Sequence, residues 1–472
     1  MVLSRKANGR KDGDAAAQLI NANLLHRALA WAIDDKLFHN VPRHGNTSWQ
    51  VCQLVTLAVL WVWSDHATLT GAFLQARELS LSMLGAVAVS SYQGLTGALV
   101  NWSGRLLPLL WQQLHRRMEQ CGGMHWRLGP WLPLAVDGSR VTTPRTQSNE
   151  HAYGAHHYGH GRKAQSRKNW KNKRRRTQRL GQPVAPQIWL TLLWHMGLKM
   201  PWAWKIGPST ASERHHFLDL IRDWKFPEDT LFCGDAGFVG YELWQALIEA
   251  GHHFVVRVGA NVRLLRRLGH VREGNGIVYL WPNEAARKQQ PPLVLRLLEF
   301  QGERSPIALV TNVLSERDLS DSQARKLYRL RWGVELQFRA FKQTFRRSKL
   351  RSRTAANAAV ELQWSLLGLW IIQLFAVKEQ MTIASPPERS SVALAVAVIQ
   401  DLMRAWAIRA GSNRQLRQRL REALKDEYRR RHSKQARYRP PCKDKPCAQR
   451  PVLVDATQQQ RAAFRRLTQI AA

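Results

Sequence analysis

The sequence predicts an α/β protein: a mixed sheet flanked by helices and interrupted by a β-rich insertion, with helical regions at both ends. Three observations carry this. Between Trp131 and Arg257, short apolar runs bounded by turn signals alternate with helical patterns, as in a layer of strands covered by helices. Before that, residues 15–120 keep their apolar residues at helical spacing. Between Gly259 and Leu319 the pattern changes to short strand-like runs, and a helix carrying Tyr328 follows.

In chain order, residues 1–125 read as an N-terminal helical domain of a kind suited to docking on duplex DNA. Its helices are expected over Ala15–Phe38, Ser48–Ser64, Leu69–Leu84 and Tyr92–Gln120, separated by polar breaks such as Pro42-Arg43-His44-Gly45-Asn46. Residues 126–258 form the first part of a catalytic α/β domain. Strands are expected at Trp131–Val136, Gln187–His195, Pro201–Ile206, Thr230–Cys233 and His253–Arg257, with helices at Ser212–Trp224 and Tyr241–Ala250. Residues 259–320 are the β insertion, with runs at Ile277–Trp281, Leu293–Phe300 and Ile307–Asn312. Residues 321–378 return to the catalytic domain, and 379–472 form a helical region with a basic tail.

Charge narrows the partner. The 472 residues carry 71 Lys and Arg against 34 Asp and Glu, a net +37. An excess of that size calls for a polyanion, and nucleic acid is the usual one. From Arg162 to Arg179, ten of eighteen residues are basic and none acidic, a stretch suited to phosphate contact. The 20 Trp and 44% hydrophobic content exclude a disordered chain. The apolar run Leu362–Val377 is broken by Gln363 and Gln373 and is short for a membrane span, so it reads as a buried helix and no membrane partner is expected. Met1 to Asp14 is polar, unlike a signal peptide, and five scattered cysteines fit a reducing cytoplasm without a disulfide framework. His151, His156, His157 and His160 lack fixed ligand spacing, and Cys442 and Cys447 lack a second pair, so neither group reads as a zinc site.

Three carboxylates occupy comparable places: Asp137 after the first strand, Asp235 after the fourth, and Glu335 on the helix after the insertion. Hard oxygen ligands of this kind suit two Mg²⁺ or Mn²⁺ ions, the pair that drives in-line phosphoryl displacement. Singly, each has a plainer explanation: a turn at Asp137-Gly138, a helix cap at Asp235, an i, i+4 ion pair between Arg331 and Glu335. On one helix turning about 100° per residue, Tyr328, Arg331, Glu335 and Lys342 fall within roughly 60° of one another.

That spacing, Tyr328-x2-Arg331-x3-Glu335-x6-Lys342, resembles the Y-(2)-R-(3)-E-(6)-K signature of insertion-sequence-four family DDE transposases, Tn-five-like members included. Asp137-Gly-Ser-Arg-Val and Gly234-Asp235-Ala-Gly-Phe238 are similar to the family's two aspartate regions. The resemblance covers roughly residues 130–355. It implies an RNase H-like catalytic domain in which Asp137, Asp235 and Glu335 hold two Mg²⁺ or Mn²⁺ ions, while Tyr328, Arg331 and Lys342 grip DNA beside them. It further implies a cut-and-paste DNA transposase of an insertion sequence. Its partners would be double-stranded DNA, as terminal inverted repeats and target, and a second copy in a synaptic dimer, joined through 359–410. Such a protein works in the cytoplasm at the nucleoid. An RNase H-like nuclease without strand transfer, or a non-catalytic DNA-binding relic, are the rival readings. Trp281 in the insertion suits base stacking, although core packing is its plainer role.

Overall fold

The computed structural model describes residues 24–42, 49–154, 185–269, 276–301, 306–408, 416–425 and 450–470. The basic stretch 162–179, the histidines at 156, 157 and 160, and the Cys442–Cys447 pair lie outside the described residues.

Among the described residues, ten strands form one sheet. They are β1 (Leu132–Thr142), β2 (Gln187–His195), β3 (Met200–Gly207), β4 (Thr230–Gly234), β5 (His253–Val258), β6 (Arg263–Arg266), β7 (Ile277–Leu280), β8 (Leu293–Gln301), β9 (Pro306–Thr311) and β10 (Val452–Asp455). Their order is β10-β6-β7-β8-β9-β5-β4-β1-β2-β3. β1, β2 and β3 form an antiparallel meander, while β4 and β5 run parallel to β1. This five-stranded block, β3-β2-β1-β4-β5, is the RNase H-like layer that the resemblance implies. The insertion extends the same sheet, because β9 pairs antiparallel with β5 and β8 and β7 follow in turn. Neither β6 nor β10 stands out in the sequence. Both are four residues long, and β10 reaches β6 from far along the chain.

The first strand differs from expectation. The Asp137-Gly138 turn signal ends nothing: β1 continues to Thr142, pairing with β2 from Leu134↔His195 to Thr142↔Gln187. A continuous ladder satisfies every backbone group on that side, and this outweighs the local turn preference of Asp-Gly. Asp137 therefore sits within a strand, a stiffer platform than a loop.

On the helical side, α1 (Val51–Trp63), α2 (Leu69–Leu84) and α3 (Tyr92–Gly122) precede the sheet. α4 (Glu213–Asp223) and α5 (Tyr241–Glu249) flank β4, and α6 (Asp321–Leu330) and α7 (Gly333–Arg339) follow the insertion. α8 (Ala355–Met381) is the central helix, and α9 (Val392–Ile408) follows it. Among the described residues, α8 is the one helix long and apolar enough to cross a membrane, and it is buried almost throughout its length inside this chain. One apolar cluster joins α1, α3 and α8 to the sheet, so the N-terminal helices share the core of the catalytic layer.

Glu361, Ser365 and Gln373, buried polar residues of α8, have partners. The Glu361 carboxylate, 1% exposed, accepts the backbone N–H groups of Arg351 and Ser352 at 3.0 and 2.8 Å. Gln373 exchanges amide hydrogen bonds with Gln337 on α7 at 2.8 and 3.0 Å. Ser365 accepts from Arg347, whose guanidinium also donates to the Val62 carbonyl. A buried polar group costs little only when it is bonded in this way, and these bonds tie the Glu335 helix to the core. Because its faces are covered within the chain, α8 is not free to serve as the dimer surface expected over 359–410.

Two histidines, the buried His195 and the half-buried His115, tie stability to pH. His195 accepts the Leu198 N–H on Nδ1 and donates from Nε2 to the Trp126 carbonyl, which requires a neutral ring. Burial holds its pKa down at about 3, and burial likewise lowers that of His115, stacked on Trp202, to about 4. With folded values below the unfolded 6.5, the unfolded chain binds more protons as pH falls, and stability is lost downward from about pH 6.5. At pH 5 each ring is expected to cost roughly 2 kcal/mol relative to pH 7. Thermal melts should fall steadily over that interval, and a flat melting temperature would contradict the neutral, buried rings.

Candidate active site

The site is assembled by sheet register. β1 and β4 are parallel neighbours, with Ala135 opposite Cys233. Carried two residues further, the same register sets Asp137 beside Asp235. Both point to the same face, on strands about 4.8 Å apart. Asp235 leaves β4 into a single turn of 3₁₀ helix, Ala236–Phe238, and its Oδ1 accepts the Gly237 N–H at 2.7 Å. The capping role open to it in sequence is thus real, and it fixes the carboxylate's direction. Asp137 Oδ1 accepts the N–H of Gly138 at 2.8 Å.

Glu335 arrives from the other side. The segment through Lys342 is not one regular helix: α6, opened by a Ser320–Gln323 capping box, ends at Leu330, and α7 starts at Gly333 after a tight turn. A π-helical turn, Ala340–Thr344, then follows. The first break coincides with a close approach to the sheet. A Cβ on Gly333 would lie 2.0 Å from Trp194 Cη2 of β2, so only glycine lets the backbone settle there. Gly333→Ala is expected to cost about 1–3 kcal/mol through overpacking and to displace Glu335. A parent-like denaturation midpoint would show that Trp194 yields freely.

Arg331 lies at that break and is 7% exposed. Its guanidinium stands 3.6 Å from Glu335 Oε1 and 5.4 Å from the centre of the Tyr328 ring. The Asp137 carboxyl is pushed up to about 6, chiefly by burial and further by Asp235 and Glu335, while the Gly138 N–H and Arg331 pull it down. All four side chains therefore share one electrostatic neighbourhood. Tyr328 is half-buried near Arg331, Arg257 and Asp235, and burial raises its phenol pKa. Lys342 donates from Nζ to Ser139 Oγ at 2.7 Å, two residues along β1 from Asp137. Among the described residues, no three acidic, imidazole or thiol groups are already closed into a metal cage. The donors are nonetheless all carboxylate oxygens, the chemistry that hard divalent cations select.

One carboxylate in this neighbourhood was missed in the sequence. Glu213, the first residue of α4, has its pKa raised to about 7 by burial and then by Asp137 and Asp235. In sequence it is a glutamate opening a helix, where acidic residues are common. Only the fold of β3 into α4 brings it to Asp137. Trp281, by contrast, is 5% exposed and donates to the Gln290 carbonyl at 2.9 Å, which is a packing role.

Residues 132–371, more than half of the chain, match the family model described as Transposase DDE domain. The chain belongs to this family. Within the transposase DDE-domain family it is similar to Transposase InsG for insertion sequence element IS4 of Escherichia coli (strain K12), at 27% identity over 243 residues. That match covers 50% of this chain and 49% of InsG, so the chain spans about half the length of this curated relative. A cryo-EM structure of the piggyBac transposase synaptic complex with hairpin DNA covers 87% of this chain and 85% of its own, at 12% identity and a TM-score of 0.37.

Proposed function

We propose that this DDE-domain transposase cuts DNA at the ends of an insertion sequence and transfers the freed 3′-hydroxyl into target DNA. The observation that carries this is the register that sets Asp137 beside Asp235, with Glu335 close enough to perturb the Asp137 carboxyl. Asp137, Asp235 and Glu335 would hold two Mg²⁺ or Mn²⁺ ions, which, when bound, activate the attacking oxygen and stabilise the leaving one. The protein's own part is positional. β1 and the 3₁₀ turn fix the two aspartates, and α7, tied to α8 through Gln337 and Gln373, presents the glutamate. Arg331 offsets the repulsion among these carboxylates and is positioned to follow the substrate phosphate.

Lys342 and Tyr328 would steady the DNA strand on either side of the cleaved bond. Lys342→Ala is expected to weaken binding to end-bearing DNA and to reduce the salt slope of log K by about one. Equal affinity and slope would remove Lys342 from phosphate contact. The net charge of +37 supports double-stranded DNA as the partner, both as terminal inverted repeats and as target, and the reaction calls for two copies on paired ends.

The reading is tested on a plasmid carrying the gene's own flanking DNA. With Mg²⁺, excision at two fixed inverted-repeat borders is expected. Scattered nicking alone would favour the nuclease reading, and stable binding without any cutting would favour the non-catalytic one.

A further inference from the structure

We propose that the loop after the Glu335 segment, residues 346–353, is a fixed cationic ledge for DNA phosphates that continue from the cleaved bond. Its contacts are Arg346, Lys349 and Arg353. This rests on the reading of the carboxylates and Lys342 above and extends it. β4 leaves β1 after Ala135↔Cys233, and further along, the loop takes the edge of β1 away from β2. There Thr142 donates its N–H to the Ser348 carbonyl at 3.2 Å and accepts the Leu350 N–H at 2.8 Å. Beyond it, the Arg353 carbonyl accepts the Thr146 hydroxyl at 2.6 Å. One stretch of chain therefore carries in order Asp137, the Ser139 that meets Lys342, the Thr142 beside Lys349, and the Thr146 beside Arg353. From Asp137 to Thr142 a strand rises roughly 17 Å, the axial length of about five base pairs.

The other two cations of the loop show how it is held. Arg347, 6% exposed, donates to Ser365 Oγ and to the carbonyls of Phe345 and Val62. Arg351 donates to the carbonyls of His66 and Ala67 in the turn between α1 and α2, and Glu361 of α8 takes the N–H groups of Arg351 and Ser352. The backbone is thus fixed to three elements, while Arg346, Lys349 and Arg353 are exposed. Among the described residues, none of these three forms an ion pair. From Lys342 to Arg353, six of twelve residues are basic and none is acidic, whereas a merely solvated face mixes both signs. Arg346 also has a left-handed backbone, φ 55°, where the helical segment ends. Glycine or asparagine is usual at such a helix end, so a long cationic side chain is kept there against a steric cost. Repulsion along the loop is relieved by a polyanion, and a ledge ordered before DNA arrives loses little freedom on binding it.

The test is binding of the full chain to duplex DNA bearing the element end, over a range of salt and without divalent metal, so that no cutting intervenes. The triple variant Arg346→Gln, Lys349→Gln, Arg353→Gln is compared with Arg116→Gln, Lys225→Gln, Arg287→Gln, which removes equal charge from exposed positions elsewhere. The ledge variant is expected to lower the salt slope of log K by about two to three and to bind on the order of tenfold more weakly at 0.1 M salt or below. The control should keep nearly the parent slope, and both should melt with the parent, since every replaced side chain is exposed. Ethylating single phosphates within about five base pairs of the cleaved bond should weaken the parent and leave the ledge variant indifferent. Equal slopes in parent and ledge variant, or equal losses in ledge and control variants, would overturn the ledge. A parent that binds end-bearing and unrelated DNA alike, with the ledge variant alone weakened on both, would support the ledge and count against the element-end reading.

Discussion

Asp137→Asn, Asp235→Asn and Glu335→Gln are each expected to reduce Mg²⁺-dependent cleavage of end-bearing DNA by on the order of a thousandfold or more, several kcal/mol of lost transition-state stabilisation. DNA affinity at fixed salt should change little, because the net +37 charge resides elsewhere. The three effects should also fail to add, since residues acting on one site behave as a unit. Cleavage assays paired with binding isotherms check this directly. Any one variant cutting at the parent rate would exclude that residue from the site.

Arg331→Ala is expected to have the second-largest effect, for a different reason. The guanidinium is buried, lies beside Glu335 and draws down the Asp137 carboxyl that burial raises. Its removal leaves clustered carboxylates without their counter-charge. Breaking a fully buried pair costs 3–5 kcal/mol, and because Glu335 is 36% exposed we expect about 2–3 kcal/mol here. The metal-free variant should melt below the parent, and Mn²⁺ should recover part of the difference by supplying the missing positive charge. Arg331→Lys keeps the charge but lacks the planar fork, so it should restore stability more fully than activity. Equal melting of Arg331→Ala and the parent would place Arg331 outside the carboxylate cluster.

Much of this was legible in the sequence, for physical reasons. The strands from β2 to β5 are short apolar runs between turn signals, and α1 to α3 keep a 3.6-residue apolar period, so local pattern and tertiary burial agree. The Tyr328–Lys342 spacing predicts four side chains on one side; Tyr328, Arg331 and Glu335 do lie together, although the helix breaks at Arg331-Trp332, while Lys342, beyond that break, meets Ser139. What could not be read depends on register and distance. The extension of β1 past Asp137 comes from pairing with β2, more than forty residues away. The burial of Arg331 follows from α7 pressing on Trp194 at Gly333. Glu213 comes near Asp137 and Asp235 only because β3 turns into α4. Nor does spacing reveal that α8 is enclosed by helices and sheet of its own chain rather than by a second copy.

The central claim is that these carboxylates join DNA as well as cut it, and strand transfer with a pre-cleaved element end tests it most directly. Given a labelled end with a free 3′-hydroxyl, Mg²⁺ and a supercoiled target, the parent protein should yield end-joined target, and Asp137→Asn none. Parent protein that cuts uncleaved ends yet leaves every pre-cleaved end unjoined would contradict the account.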